Sequence, residues 1–484
     1  MKKGRYDKAS RCHTFVKALG LTLLALVILV SIASAVTFAD IPNTCRNNIS
    51  NLNKSDEAIK AYEKAIEINQ QDSKAWDNKG NVLSNLNKSD EKTKEYDKAN
   101  NSDEVLKAFD KAIEVNPLNS NAWIYKGNVL SDLNKFDEAI KAYDKAIEIN
   151  PQDSDAWYDK GNALNALNKS GEAIKAYDKT SEIKPHYSEA WESKGRALYK
   201  LNQSDEAITA YDKAIEINPQ NSLAWYNKGL ALHKLNQLDE AIKTYDKAIK
   251  INPLDSNAWE NKGTSLAKLS KSDEAIKAYN KAIEINPNDS DAWYKKGNAL
   301  YNLNKFDEAI KAYNKTIEIN PQNSKTWTSE GNALIKLNKF DEAIKVFDKA
   351  IEINPQNSNA WYNKGNALYV INKSDEALNA FDKAIEINPK DPEAFNGKGN
   401  AFYKLNRSDE ALNAFDKAIE INPQNSDAWY NKGNVLSDQN KSDEAIKAYD
   451  KAIEINPQNS MAWYKKRLAL HILSSTTSIN QTLI

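Results

Sequence analysis

Residues 222–255 read Ser222-Leu-Ala-Trp225-Tyr-Asn-Lys228-Gly229-Leu-Ala-Leu232-His-Lys-Leu235-Asn236-Gln-Leu-Asp239-Glu240-Ala241-Ile242-Lys-Thr-Tyr245-Asp-Lys-Ala248-Ile249-Lys-Ile-Asn252-Pro253-Leu-Asp255. Trp225, Gly229, Leu232 and Leu235 are spaced 4, 3 and 3 apart, which is one face of a helix. Ala241, Ile242, Tyr245, Ala248 and Ile249 mark the inner face of a second helix. The boundaries agree. Asn221 or Ser222 can cap the first helix, and Asn236 suits a left-handed exit from it. Asp239 and Glu240 place negative charge in the second helix's first turn, and Asn252-Pro253 stops it. Glycine inside a helix costs on the order of 1 kcal/mol, so Gly229 points to close contact between the helices. The stretch is a helical hairpin with no strand.

The same pattern recurs with a period of 34 residues: Trp123, Trp157, Trp191, Trp225, Trp259, Trp293, Trp327, Trp361, Phe395, Trp429 and Trp463, with a proline 28 residues after each of these from Trp123 to Trp429. A fixed period of this length means a stacked array in which no unit closes its own core. Residues 73–460 are expected to hold eleven repeats, preceded by a degenerate half repeat at 40–72 in which only a second helix, Asp56 to Asn69, is recognisable. A first helix at 461–473 closes the array, with Arg467 in place of the glycine, and a tail at 474–484 is expected to be disordered. The apolar residues Leu468, Leu470, Ile472 and Leu473 make that helix a candidate for end-to-end self-association. Trp76 and Trp123 stand 47 apart because residues 102–114 echo residues 89–101. The spacing predicts a short extra helix or bulge there.

With 66 Lys and Arg against 67 Asp and Glu, the net charge is −1. Both signs alternate in every repeat, so there is no basic stripe for phosphates and nucleic acid is excluded as a partner. Cys12 and Cys45 cannot form a disulfide framework, and four scattered histidines provide no metal spacing. Phosphate loops, nucleophile elbows and histidine triads are absent, so no catalysis and no cofactor are expected. The acidic residues read as solvent-facing i,i+4 neighbours of lysine.

Residues 18–39 are uncharged and mostly apolar, behind a basic leader at 1–17 (Lys2, Lys3, Arg5, Lys8, Arg11 and Lys17 against Asp7). A helix of this length can just cross a bilayer core of ~30 Å. The basic flank would remain cytoplasmic, placing the repeats outside, on the cytoplasmic membrane. The rival reading is a cleaved signal peptide ending at Ala33-Ser34-Ala35, which would secrete the repeats. Asn-x-Ser/Thr triplets recur eleven residues after the Trp position, at Asn53, Asn87, Asn168, Asn202, Asn372, Asn406 and Asn440. These fall at the expected turn, where they could accept glycans.

The joint recurrence of Trp, Gly, Ala, an aromatic, Ala and Pro resembles the tetratricopeptide repeat family. The resemblance implies an all-α, right-handed superhelical solenoid of stacked antiparallel helix pairs, whose concave surface binds proteins, usually through short peptides or helices. Lys228 and its equivalents replace the family's usual Leu before the glycine. On the face of the first helix away from its Trp and Gly, candidate peptide-binding residues are Tyr158, Tyr226, Tyr294, Tyr362 and Tyr430, one residue after the Trp. Asn162, Asn298, Asn366 and Asn434 follow one turn later, with Lys200, Lys234 and Lys268 beyond them. In the family, asparagine at this position commonly bonds the backbone of a bound peptide, and tyrosine supplies rigid contact area. The family's carboxylate clamp needs a lysine one residue after the Trp position, and none occurs here. The resemblance implies a non-catalytic scaffold. A self-associating structural spacer is the alternative.

Overall fold

The structure, a computed structural model, describes residues 43–89 and 95–482. The basic leader and the apolar segment 18–39 lie outside the described residues. No helix among the described residues is long and apolar enough to cross a membrane. The described residues form 24 helices and no strand, in two compact units divided between Pro219 and Gln220. Within each unit, a first helix of 13 residues, such as Ser290–Asn302, pairs with a second of 14, such as Phe306–Ile319.

Local chemistry sets the ends of these helices. Asp289 caps Ser290–Asn302 by accepting from the amides of Asp291 and Ala292 at 3.0 and 3.1 Å, satisfying two donors that the helix cannot satisfy itself. At the other end Asn304 adopts φ 59°, and the Lys305 amide folds back to the Leu300 carbonyl at 3.0 Å. Asparagine tolerates this left-handed geometry, where most side chains are strained. Asn168, Asn202, Asn236, Asn372, Asn406 and Asn440 repeat the conformation. Of the seven aligned triplets, Asn53 and Asn87 do not lie in turns: they fall within the helices Asn43–Ile68 and Ser73–Ser89.

The glycine supports a ring. Tyr313 on the second helix is 1 % exposed, and a Cβ built on Gly297 would come within 2.5 Å of its Cε1. Gly229 meets Tyr245 at the same distance, and Gly80 meets Phe109 at 2.8 Å. The close approach is thus between a backbone and an aromatic face. Gly297→Ala is expected to cost about 1–2 kcal/mol, because overpacking outweighs the ~1 kcal/mol gain in helix propensity. At Gly171, by contrast, an added Cβ meets nothing within 4 Å, so Gly171→Ala is expected to stabilise by about 0.5–1 kcal/mol. Urea unfolding that gave both changes the same sign would contradict this packing.

The tryptophan and proline periods are coupled by a bond. Trp293 Nε1 donates to the Pro287 carbonyl at 3.1 Å, as Trp157 does to Pro151 and Trp361 to Pro355, both at 3.1 Å. Each indole therefore pins the loop that enters its own helix. Lysine at the position of Lys228 lies over that indole. Lys160 is 5.2 Å from the Trp157 ring and pairs with Asp144 at 2.5 Å, and Lys262 is 5.4 Å from Trp259 and pairs with Asp246 at 2.6 Å. The lysine–glutamate pairs close in sequence are spaced i,i+3, as in Lys281–Glu284 at 2.7 Å. These are more than half exposed and contribute little.

The irregular parts differ from expectation. The duplicated segment forms no separate helix: it lengthens Ser73–Ser89 to 17 residues and Glu95–Val115 to 21, and residues 90–94 lie outside the described residues. The half repeat is one continuous helix, Asn43–Ile68. Arg46 stands where the glycine would be, so residues 43–52 lack the bare backbone on which Tyr62 could lie as a folded hairpin requires. Tyr62 is accordingly only half-buried. The last helix does not stop at Leu473 but runs Ser460–Thr482.

Candidate functional site

The face of the first helices is built on the buried rings. Tyr177 has Tyr158 packed against it at 6.0 Å, and its hydroxyl donates to Asn162 Oδ1 at 2.9 Å. Tyr294, Asn298 and Tyr313 repeat the triad at 6.0 and 2.9 Å, and Tyr430, Asn434 and Tyr449 at 6.1 and 3.0 Å. Burial pushes the Tyr449 phenol up to about 12 and Tyr177 and Tyr313 higher still, so these hydroxyls remain donors. Each bond uses the asparagine carbonyl oxygen as acceptor and leaves its amide NH2 as the remaining donor of the side chain. Tyr226 packs on Tyr245 at 6.1 Å, but Leu230 stands in the asparagine position. Tyr362 lies 6.1 Å from Phe381, which offers no hydroxyl, and Asn366 is within hydrogen-bonding reach of Tyr362.

The three lysines do not join these triads. Lys200 reaches back one repeat to the Asn165 carbonyl and Oδ1 at 3.5 and 3.3 Å. Lys234 and Lys268 are exposed at the ends of their helices. With burial as the main cause, Lys268 and Lys295 help hold the His233 imidazole below its usual value.

The structure adds a ladder of contacts 35 residues apart along this face. Asn261 donates to Tyr226 Oη at 3.1 Å, Lys295 pairs with Glu260 at 2.5 Å, Tyr294 meets Ser329 at 3.4 Å, and Asn431 donates to Asn396 at 3.1 Å. Glu260 and Asn396 occupy the alternate repeats that lack tyrosine, and both are nearly buried. The face thus alternates a half-buried tyrosine with a sunken polar group. The tyrosine alternation is visible in the sequence, but the partners two residues after the next Trp were not singled out there. Aligning positions 35 apart would have found them.

These paired helices, with rings on glycines and a repeating polar face, define an array of stacked helical hairpins. Tetratricopeptide repeat models match residues 193–256 and 396–460, then 120–153, 290–323 and 358–391, and also 61–94, 142–175, 244–277 and 312–345. A further model, described as TPR repeat, matches 263–304 and 331–372. Together they cover residues 61–94, 120–175, 193–391 and 396–460, more than half of the chain. The chain belongs to the tetratricopeptide repeat family, whose members are typically non-catalytic scaffolds for protein interaction. No curated protein matches the chain. Among solved structures, it is similar to YrrB, titled a TPR protein with an unusual peptide-binding site, at 28% identity over 40% of this chain and 98% of that one, TM-score 0.35. MamA is similar at 26% identity over 34% and 91%, TM-score 0.33, and yeast Tom70 at 18% over 84% and 96%, TM-score 0.37.

Proposed function

We propose that this protein is a non-catalytic scaffold that binds peptides or proteins along the first-helix face, outside the cytoplasm. The triad carries the reading: a phenol that stays protonated engages the asparagine carbonyl and leaves its NH2 as the remaining donor beside a rigid tyrosine, so an extended backbone can accept from it with little loss of side-chain entropy. The repetition of the triad at Tyr294 and Tyr430 within one unit suits a long ligand that engages several hairpins. Residues 18–39 would hold the array at the membrane or direct its export, and a mature amino terminus beginning near Val36 would decide for cleavage.

A photo-crosslinking residue placed at Tyr294 or Tyr362 is expected to trap partners from native membranes, while one at Lys281, on the exposed side of a second helix, traps none. Equal trapping from both sides would overturn the assignment. A self-associating spacer is the second reading, favoured by the exposure of Met461, Trp463, Tyr464, Leu468 and Leu470 on the last helix. Against it, Arg467 occupies the position where a second helix would need a glycine for its ring. A concentration-independent monomer in light scattering would remove it.

A further inference from the structure

One hairpin departs from all the others at a single junction. Among the described residues, the position three after the Trp is lysine in the other repeats, and in 324–357 it is Glu330. The aspartate that would face it is Asn314, sixteen residues earlier as Asp246 is to Lys262. Two buried alanines of the regular junction, Ala146 and Ala156, become Thr316 and Thr326. Glu330 and Thr326 are particular to this junction, whereas Asn in the aspartate position and Thr in the Ala146 position also occur at Asn280 and Thr180.

The result is an orphaned carboxylate. Glu330 is 7 % exposed, and its Oε2 has no hydrogen-bond partner, nor has the Thr326 Oγ1 one turn before it. No lysine or arginine among the described residues lies within ion-pair distance of it. Trp327 keeps its bond to the Pro321 carbonyl at 2.9 Å but lacks the overlying ammonium that Trp293 and Trp361 have at 4.8 and 5.4 Å. In the regular repeat this place opens into a groove of about 550 Å3 lined by Trp157, Lys160, Glu172, Lys175 and Asp178. By register, Glu342, Lys345 and Asp348 would flank Glu330. Asp348 is engaged by Lys364 at 2.6 Å.

We propose that Trp327 and Glu330 form a receptor for a lysine or arginine side chain of a protein partner. A buried charge without a counterion is costly, and an indole face attracts a desolvated cation. Every other repeat answers both demands with its own lysine. Here an incoming ammonium or guanidinium would lie over Trp327 and pair with Glu330. This side-chain receptor lies apart from the tyrosine face and does not depend on it.

The test uses the full chain labelled with 5-fluorotryptophan, the Trp327 resonance being assigned through Trp327→Phe. Titration with N-acetyl-lysine amide and N-acetyl-arginine amide is expected to shift that resonance saturably and leave the other indoles unmoved. Glu330→Gln, which keeps size and burial, should weaken the response by about tenfold or more. Glu330→Lys, which restores the residue used by the other repeats, should abolish it. The titrations are repeated in Lys345→Ala so that no chain cation competes. A Trp327 shift no larger than the others, an undiminished response in Glu330→Gln, or a response to putrescine alone would overturn the proposal.

Discussion

Tyr313→Ala is expected to lower the unfolding free energy by about 3–5 kcal/mol, and Tyr313→Phe by about 1 kcal/mol or less. The ring is 1 % exposed, fills the space over Gly297 and packs on Tyr294 at 6.0 Å. Truncating it leaves a cavity whose floor is bare backbone, and the helices can collapse into it only by losing register. Phenylalanine keeps the ring and loses only the bond to Asn298, and Phe347, Phe381 and Phe415 already occupy the same position with full burial. In a stacked array the loss falls on the mutated hairpin and its neighbours. Hydrogen exchange should therefore rise first in residues 290–319 and their flanks. Urea denaturation showing a loss below about 1 kcal/mol for Tyr313→Ala would mean the ring is not the support described here.

Stability is expected to fall between about pH 5 and pH 8 by up to about 3 kcal/mol because of Glu330 alone. Burial raises this carboxyl from the usual 4.5 to about 7. A folded-state value raised above the unfolded one means that protonation favours the fold. The contribution is fully present below about 4.5 and is lost as the pH rises through about 7. Above that pH an ionised group stays buried with no cation among the described residues within ion-pair distance. Lys345, Glu342 and Asp348 on the adjoining second helix hold the surrounding positions by register, and relaxation of Lys345 toward the carboxylate would reduce the effect. Glu330→Gln should show a flatter profile and exceed the wild type at about pH 8. Urea midpoints measured across this range on both proteins decide it, and parallel profiles would show the carboxylate to be solvated.

The parts of this molecule that were legible in advance share a physical basis. Trp225, Gly229, Asn236 and Pro253 act within a hairpin, through caps, a left-handed turn and a helix stop, so reading residues in order recovers them. The ends were less legible. Arg46 in the glycine position was visible, but the continuous helix Asn43–Ile68 follows only once the glycine is understood as the seat of a tyrosine ring. The duplicated segment likewise looked like an extra helix. In the structure its residues extend two existing helices, because a helical sequence added at a turn costs less if it prolongs regular hydrogen bonding than if it starts a new helix.

The candidate site was half legible. The tyrosines and asparagines were recognised as sharing a face, and they do, but the reason lies in a third residue. Tyr177, Tyr313 and Tyr449 bind the asparagine carbonyls and carry the outer tyrosines. Of the lysines read as part of that face, Lys200 instead reaches back to Asn165, and Lys234 and Lys268 lie exposed at the ends of their helices.

By itself the sequence determined the hairpin, its period, its boundaries and its family, because caps, turns and helical periodicity act over about a dozen residues. Tertiary structure decided which groups are committed and which are left over. The i,i+16 lysine–aspartate pairs and the i,i+35 ladder arise only when neighbouring hairpins stack with rings seated on glycines. That packing gives Lys262 a partner in Asp246 and leaves Glu330 a buried charge without a counterion.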